Sequence, residues 1–263
     1  MNIIGRELKS SIRGLLFWGL GIIFVVADGM IEYKGFQNSG NAIGSLLDAM
    51  PESVQIIFGM DHLDIGNVLG YYLVLFNYLV ILCAVHAIML GSSLIAKEER
   101  DKTAEFLLAK PISRNKIVLY KLAAGVIQLL MINLIVFGAS ISGIVSYEEG
   151  HTGSLVMVML GLLIVQSIFM AAGSAIAAVC RNSKLSIGLS AGVLLILYMA
   201  SILMSLYEKL KFLRYVTPFE YINTHNLIEG EGFAGSLTGV ACAVLAVLLI
   251  ITFREYRRRD MKL

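Results

Sequence analysis

Six long apolar stretches divide this chain, and short polar segments separate them. A transmembrane helix needs about 20 mainly apolar residues, and runs of that kind occupy residues 14–33, 68–96, 117–145, 154–179, 185–207 and 237–253. The intervening segments are too polar to lie in hydrocarbon. The alternating stretches of about ten residues that build a membrane β-barrel are absent. Lipid requires each backbone polar group to be paired within its own segment. The predicted fold is therefore all-α, a polytopic membrane protein with six transmembrane helices in one domain over residues 1–263. Composition supports it, with 57% hydrophobic and 15% charged residues against roughly a quarter charged in a soluble chain. Only three prolines occur, and no low-complexity linker divides the chain.

Charge gives the spans an orientation. The N-terminus, residues 97–121, residues 181–184 and the C-terminus alternate with the spans so as to fall on one side, and they hold 17 of the 21 basic residues. The other side keeps Lys34, Lys209, Lys211 and Arg214. Basic loops stay in the cytoplasm, so both termini are expected there, which requires an even number of spans. The basic residues flank spans, and no nucleic-acid partner is expected.

Residues 1–13 place Ile3, Ile4, Leu8 and Ile12 at helical spacing with Arg6, Lys9 and Arg13 between them. That pattern predicts a short helix lying in the cytoplasmic interface ahead of the first span. It is not read as a signal peptide, because no small-residue cleavage site follows and the run continues into Asp28 and Glu32. Cys83, Cys180 and Cys242 sit in or at the ends of separate spans. They have neither paired nor metal-ligand spacing, so a packing role is expected.

Catalytic signatures are missing. No GxxxxGK[ST] loop occurs, so the chain is not expected to bind ATP by itself, and HExxH is absent; Gly188-Leu-Ser-Ala-Gly192 has the letters of GxSxG but sits inside an apolar span, without the strand-to-helix turn that motif needs. Glu98 and Glu99 invite comparison with membrane proteases that use a Glu-Glu pair followed by arginine. Here Arg100 is adjacent, Thr103 stands where those enzymes have arginine, and no suitably spaced histidines support the pair. Polar residues inside spans are costly and often functional. His86 lies in the cytoplasmic half of span two with Asn77 about two and a half turns above it, Gln128 and Asn133 lie in span three, and Gln166 lies in span four. Asn77, His86, Gln128 and Asn133 are candidates for a translocation path. The alternative is hydrogen bonding between packed spans.

The most informative stretch joins spans two and three. Residues 101–109 can form about two helical turns, with Ala104, Leu107 and Leu108 on one side and Asp101, Lys102 and Glu105 on another. Pro111 ends that helix, and Ser113 is placed to cap the next one, which enters the membrane past Lys116, Tyr120 and Lys121. A short amphipathic helix held between two spans can fit a groove on a cytoplasmic partner and act on both spans as a lever. The plainer alternative is a solvated loop that only enforces orientation.

This loop, from Lys97 through Glu98, Glu99, Thr103, Leu107, Leu108, Pro111, Ser113 and Arg114 to Lys121, resembles the signature loop of ABC-2-type transporter permeases. Lys102, where many members have glycine, is a departure. Met50, Pro51 and Glu52 followed by Phe58 and Gly59 are similar to the family's Pro…Phe-Gly stretch. Tyr215 to Tyr221 resembles its Tyr-x-x-Pro-Phe segment, and Arg257 to Asp260 its basic C-terminus. The resemblance covers nearly the whole chain.

It implies a half-channel: the permease subunit of an ABC exporter in a prokaryotic plasma or inner membrane, paired with a second permease chain, identical or not. A separate ATP-binding subunit would carry ATP and magnesium, with no cofactor on this chain. The loop would hold the coupling helix, with Glu98, Glu99, Thr103, Glu105, Phe106, Leu107 and Leu108 as the docking surface and Arg114 and Lys121 as anchors to lipid headgroups. The family folds the region matching 208–235 into short helices over the outer mouth. Residues 34–67 are too short for the large outer domain of exporters that pull lipoproteins. The competing reading is a self-sufficient channel or secondary transporter. That reading predicts internal repeats or broken helices with charges at the midplane, and neither is evident in the sequence. The residues do not separate peptide, drug, lipid and ion cargo.

Overall fold

The structure, a computed structural model, describes residues 3–38, 49–60, 63, 65–101, 103, 112–147, 152–180, 182–222 and 232–258. Six helices among them are long and apolar enough to cross a membrane. These are α1 (Ile3–Asn38), α3 (Val68–Arg100), α4 (Arg114–Val145), α5 (Thr152–Val179), α6 (Ser183–Leu206) and α7 (Gly235–Arg258), and α2 (Glu52–Ile57) is a short helix between the first two. No strand occurs among the described residues. The protein is an all-α, polytopic membrane protein, as the hydrophobic pattern predicts.

Local chemistry sets several of the helix ends. Asn67 begins α3 with its side-chain oxygen accepting from the Gly70 amide at 2.6 Å, and Asn182 begins α6 by accepting from Lys184 and Leu185 at 3.0 and 3.3 Å. Each satisfies amide groups that a first helical turn leaves unpaired. Ser113 does precede α4 in extended geometry, but its hydroxyl makes no capping bond. The N-terminal segment departs from expectation. Residues 3–13 are the first turns of α1 rather than a separate interfacial helix. Nothing in the sequence breaks the helix there, and Ile3 and Glu7, four residues apart, both turn inward and are buried.

Helices α3 and α5 form the centre of the bundle, while α6 and α7 are the least enclosed spans. Helix α1 packs mainly on α4, and α7 on α5. Between apolar helices in lipid, association depends on close packing rather than on a hydrophobic driving force. The crossing of α3 and α5 meets that need with small residues. A Cβ at Gly91 would overlap the Met170 carbonyl, and one at Gly173 would overlap the Ile88 carbonyl. Ser174 Oγ donates to the Gly91 carbonyl at 3.2 Å across the same crossing. Around it, Phe76, Leu79 and Ile88 of α3 pack with Leu129 and Ile132 of α4 and with Val165 and Phe169 of α5.

The two ends of the bundle differ. At the end remote from the termini, Tyr33 sits against the rings of Tyr71 and Tyr147 at 5.1 and 5.2 Å, amphipathic rings of the kind that gather at membrane interfaces. There α2 starts after Pro51 and stops at Gly59, whose φ of 67° suits glycine. Two 3-10 helices, Glu208–Tyr215 and Pro218–Tyr221, follow α6. Tyr221 donates to the Tyr215 carbonyl at 2.7 Å, and Phe219 packs against Phe169 and Tyr198. Short helices are thus present in this region, as the resemblance implies, while residues 223–231 lie outside the described residues.

Candidate functional site

The opposite, basic end carries the densest polar cluster. Arg6 and Glu7 come from α1, Lys97 and Glu98 from the last turn of α3, and Lys121 from the second turn of α4. Lys121 has no exposed surface; its Nζ donates to Glu98 Oε2 at 2.6 Å and to the Leu94 carbonyl at 2.5 Å, and lies 3.8 Å from Glu7 Oε1. Arg6 Nη2 bridges Glu7 Oε1 and Glu98 Oε1, both at 3.2 Å. Lys97 Nζ donates to Glu7 Oε2 at 2.9 Å and to Ser10 Oγ at 2.5 Å.

Three cations thus share two carboxylates, and both carboxylates are buried. Buried charges persist only when paired and hydrogen-bonded. Here Lys121 reaches two acids and a carbonyl from within, while Arg6 and Lys97 approach from the partly exposed side. The cluster ties three spans together at the two points where the 102–111 loop leaves α3 and rejoins the membrane in α4. Below it, Ile3, Ile95, Ile117, Val118, Ala177 and Tyr256 form a separate apolar core that brings in α5 and α7. Five of the six spans therefore meet at this end of the bundle.

Two of the expected site residues take other places. Lys121 was expected to anchor the loop to lipid headgroups, and it is instead the innermost charge of the network. It lies one turn beyond Ile117 and one before Gly125, on the buried face of α4, whereas Lys116 and Tyr120 take the exposed one. Glu98 was expected on the docking surface, but only 4% of it is exposed and both oxygens are engaged. Its neighbour Glu99, one residue and thus about 100° further round the helix, is partly exposed. Thr103 is exposed and its amide donates to the Glu98 carbonyl at 2.8 Å. Glu105, Phe106, Leu107 and Leu108, with the expected coupling helix, lie outside the described residues. Arg114 is half-buried and donates to the Arg257 carbonyl at 3.2 Å, satisfying a carbonyl at the C-terminal end of α7.

The four residues proposed for a path are not brought together. Asn133 Nδ2 donates to Gln166 Oε1 at 2.8 Å, a buried bond between α4 and α5. Gln128 turns back to the Ala124 carbonyl of its own helix at 3.3 Å. His86 is buried with its ring 5.4 Å from that of Trp18. Asn77 donates to the Gly59 carbonyl at 3.4 Å, near the far end.

Sequence reasoning missed Glu7 as a member of the network. An acid four residues after Ile3, between Arg6 and Lys9 in an otherwise basic segment, was the available signal. Its meaning depends on partners about 90 residues away.

Comparison with known families supplies the context for this geometry. The model of the ABC-2 family transporter proteins matches residues 1–261. No match is found among curated proteins.

Proposed function

Because the chain belongs to the ABC-2 family of transporter proteins and is a permease component of an ABC transporter, we propose that it is the export permease driven by a separate ATP-binding subunit. That subunit docks from the cytoplasm on the loop between α3 and α4, through Glu99, Thr103, Glu105, Phe106, Leu107 and Leu108, and it holds the ATP and magnesium. A second permease chain completes the path, and both termini face the cytoplasm.

The observation that carries this reading is the ion network at the base of the loop. A partner that pushed on residues 102–111 would act on Glu98 at one end and Lys121 at the other. The 2.6 Å pair between them makes α3 and α4 respond together, and Arg6 and Glu7 bring α1 along. About 10 Å further along α3, the Gly91–Gly173 crossing passes the movement to α5, because backbone in direct contact has no slack to absorb it. This network positions the spans; it does no chemistry.

The reading is tested by purifying the tagged chain from its native membranes in mild detergent beside Glu99→Ala and Leu108→Ala variants. An ATP-binding subunit should accompany the wild-type chain, and both variants should lose it. A chain that comes down alone and transports in vesicles without ATP would overturn the proposal.

A further inference from the structure

At the far end, α2, α3, α6, the two 3-10 helices and the start of α7 line an open cavity of about 630 Å³. That falls within the range of about 300–1,000 Å³ typical of small-molecule sites. Its wall has two chemical zones. Leu73, Val80 and Ile81 of α3, Met204 of α6, Phe58 and Leu237 supply apolar surface. Ile81 lies thirteen residues into α3, about 20 Å along the axis from its first residue, so this surface reaches well down the bundle. Lys211 and Arg214 supply cationic surface from the first 3-10 helix, outside the end of α6.

The two cations are placed together by local geometry. A 3-10 helix has three residues per turn, so positions three apart project to the same side. Three of the four basic residues on this end of the protein fall within this one helix. The Arg214 guanidinium is steadied over the Tyr215 ring, 5.6 Å from its centroid. The acid in the wall, Glu220, accepts from Ser201 Oγ at 2.7 Å. Of the polar groups deeper in the wall, Asn77 donates to the Gly59 carbonyl, Tyr78 to the Phe58 carbonyl at 3.3 Å and Ser205 to the Ser201 carbonyl at 3.2 Å, and Tyr198 adds a ring and a hydroxyl from α6.

The apolar side of this cavity, a shaft along Leu73, Val80 and Ile81 of α3, is poorly served by water, which needs two to four polar partners. A cationic rim favours a negative group. We propose that this cavity binds an anionic amphiphile, with an apolar chain in the shaft between α3 and α6 and its acidic head against Lys211 and Arg214. The head-and-chain chemistry is shared by an anionic lipid of the far leaflet and a free fatty acid. The assignment does not depend on how the ATP-binding subunit docks.

The test uses the full chain in nanodiscs of neutral phosphatidylcholine, photolabelled with diazirine-bearing palmitate and, as control, the matching uncharged alcohol. Labelled peptides are then mapped by mass spectrometry. The acid should label the segments around Phe58, Met204 and Phe219 roughly five- to ten-fold more than the alcohol. The Lys211→Gln/Arg214→Gln variant, altered only at exposed side chains, should bring the acid down to the level of the alcohol. Met204→Trp should fill the shaft and remove both labels while the protein stays monodisperse. Displacement by phosphatidylglycerol would assign the site to a membrane lipid, and displacement by palmitate alone to a free amphiphile. Equal labelling by acid and alcohol, indifference to the Lys211/Arg214 change, label confined to outward-facing Leu195 and Ile196, or cross-links to a second copy at the cavity would each overturn the proposal.

Discussion

Lys121→Met is the most demanding perturbation of the structure as described. Methionine keeps an unbranched apolar stem of similar length and removes the charge, so packing is disturbed little. The change leaves Glu98 with Arg6 at 3.2 Å and Glu7 with Arg6 and Lys97 at 3.2 and 2.9 Å. Removing one partner of a buried pair costs about 3–5 kcal/mol because the other charge is stranded. Since Arg6 and Lys97 remain, a loss of about 2–4 kcal/mol is expected. For a chain of this size that corresponds to a fall of roughly 5–15 °C in melting temperature, measured by heating the purified protein and following the monodisperse fraction by size exclusion. Glu98→Gln removes the facing charge and should also destabilise. The double variant leaves neither charge stranded and should recover much of the loss, since replacing both partners is often close to neutral. The cycle should therefore show coupling well above the ~0.5 kcal/mol of independent sites. A Lys121→Met protein as stable as wild type, or effects that simply add, would refute the account of the network.

Two further outcomes concern packing within the bundle. Gly91→Ala and Gly173→Ala each drive a methyl group into a facing backbone carbonyl and should cost about 1–3 kcal/mol or more; Gly188→Ala, with open space around its Cβ, should be neutral or slightly stabilising, and equal thermal shifts for all three would contradict the crossing. Asn133→Leu removes the bond to Gln166 and should cost about 0.6–1.7 kcal/mol, the range found for hydrogen bonds between helices in a membrane, read in the same heating assay.

The number of spans was legible because the requirement is local: about 20 apolar residues satisfy lipid wherever they occur. The start of α4 just after Ser113 was legible for a similar reason, since Pro111 bars a helix from running through it; the short helices before α7 were expected from the family resemblance alone. The choice between like residues was not legible. Glu98 and Glu99 are the same residue type side by side, as are Lys116 and Lys121 at five residues' distance, yet only Glu98 and Lys121 are buried. Periodicity puts the members of each pair on different faces of a helix; it does not name the face that meets a neighbour. Glu7 reads as a minor interruption in a basic segment until α1 lies beside α3 and α4. The same limit applies to Gly91 and Gly173 among 25 glycines, because a close crossing is a relation between two helices. The sequence by itself therefore determined the six membrane-spanning helices and the family. Only the tertiary structure decided which charges the bundle encloses, since burial of a charge depends on partners that distant parts of the chain bring to it.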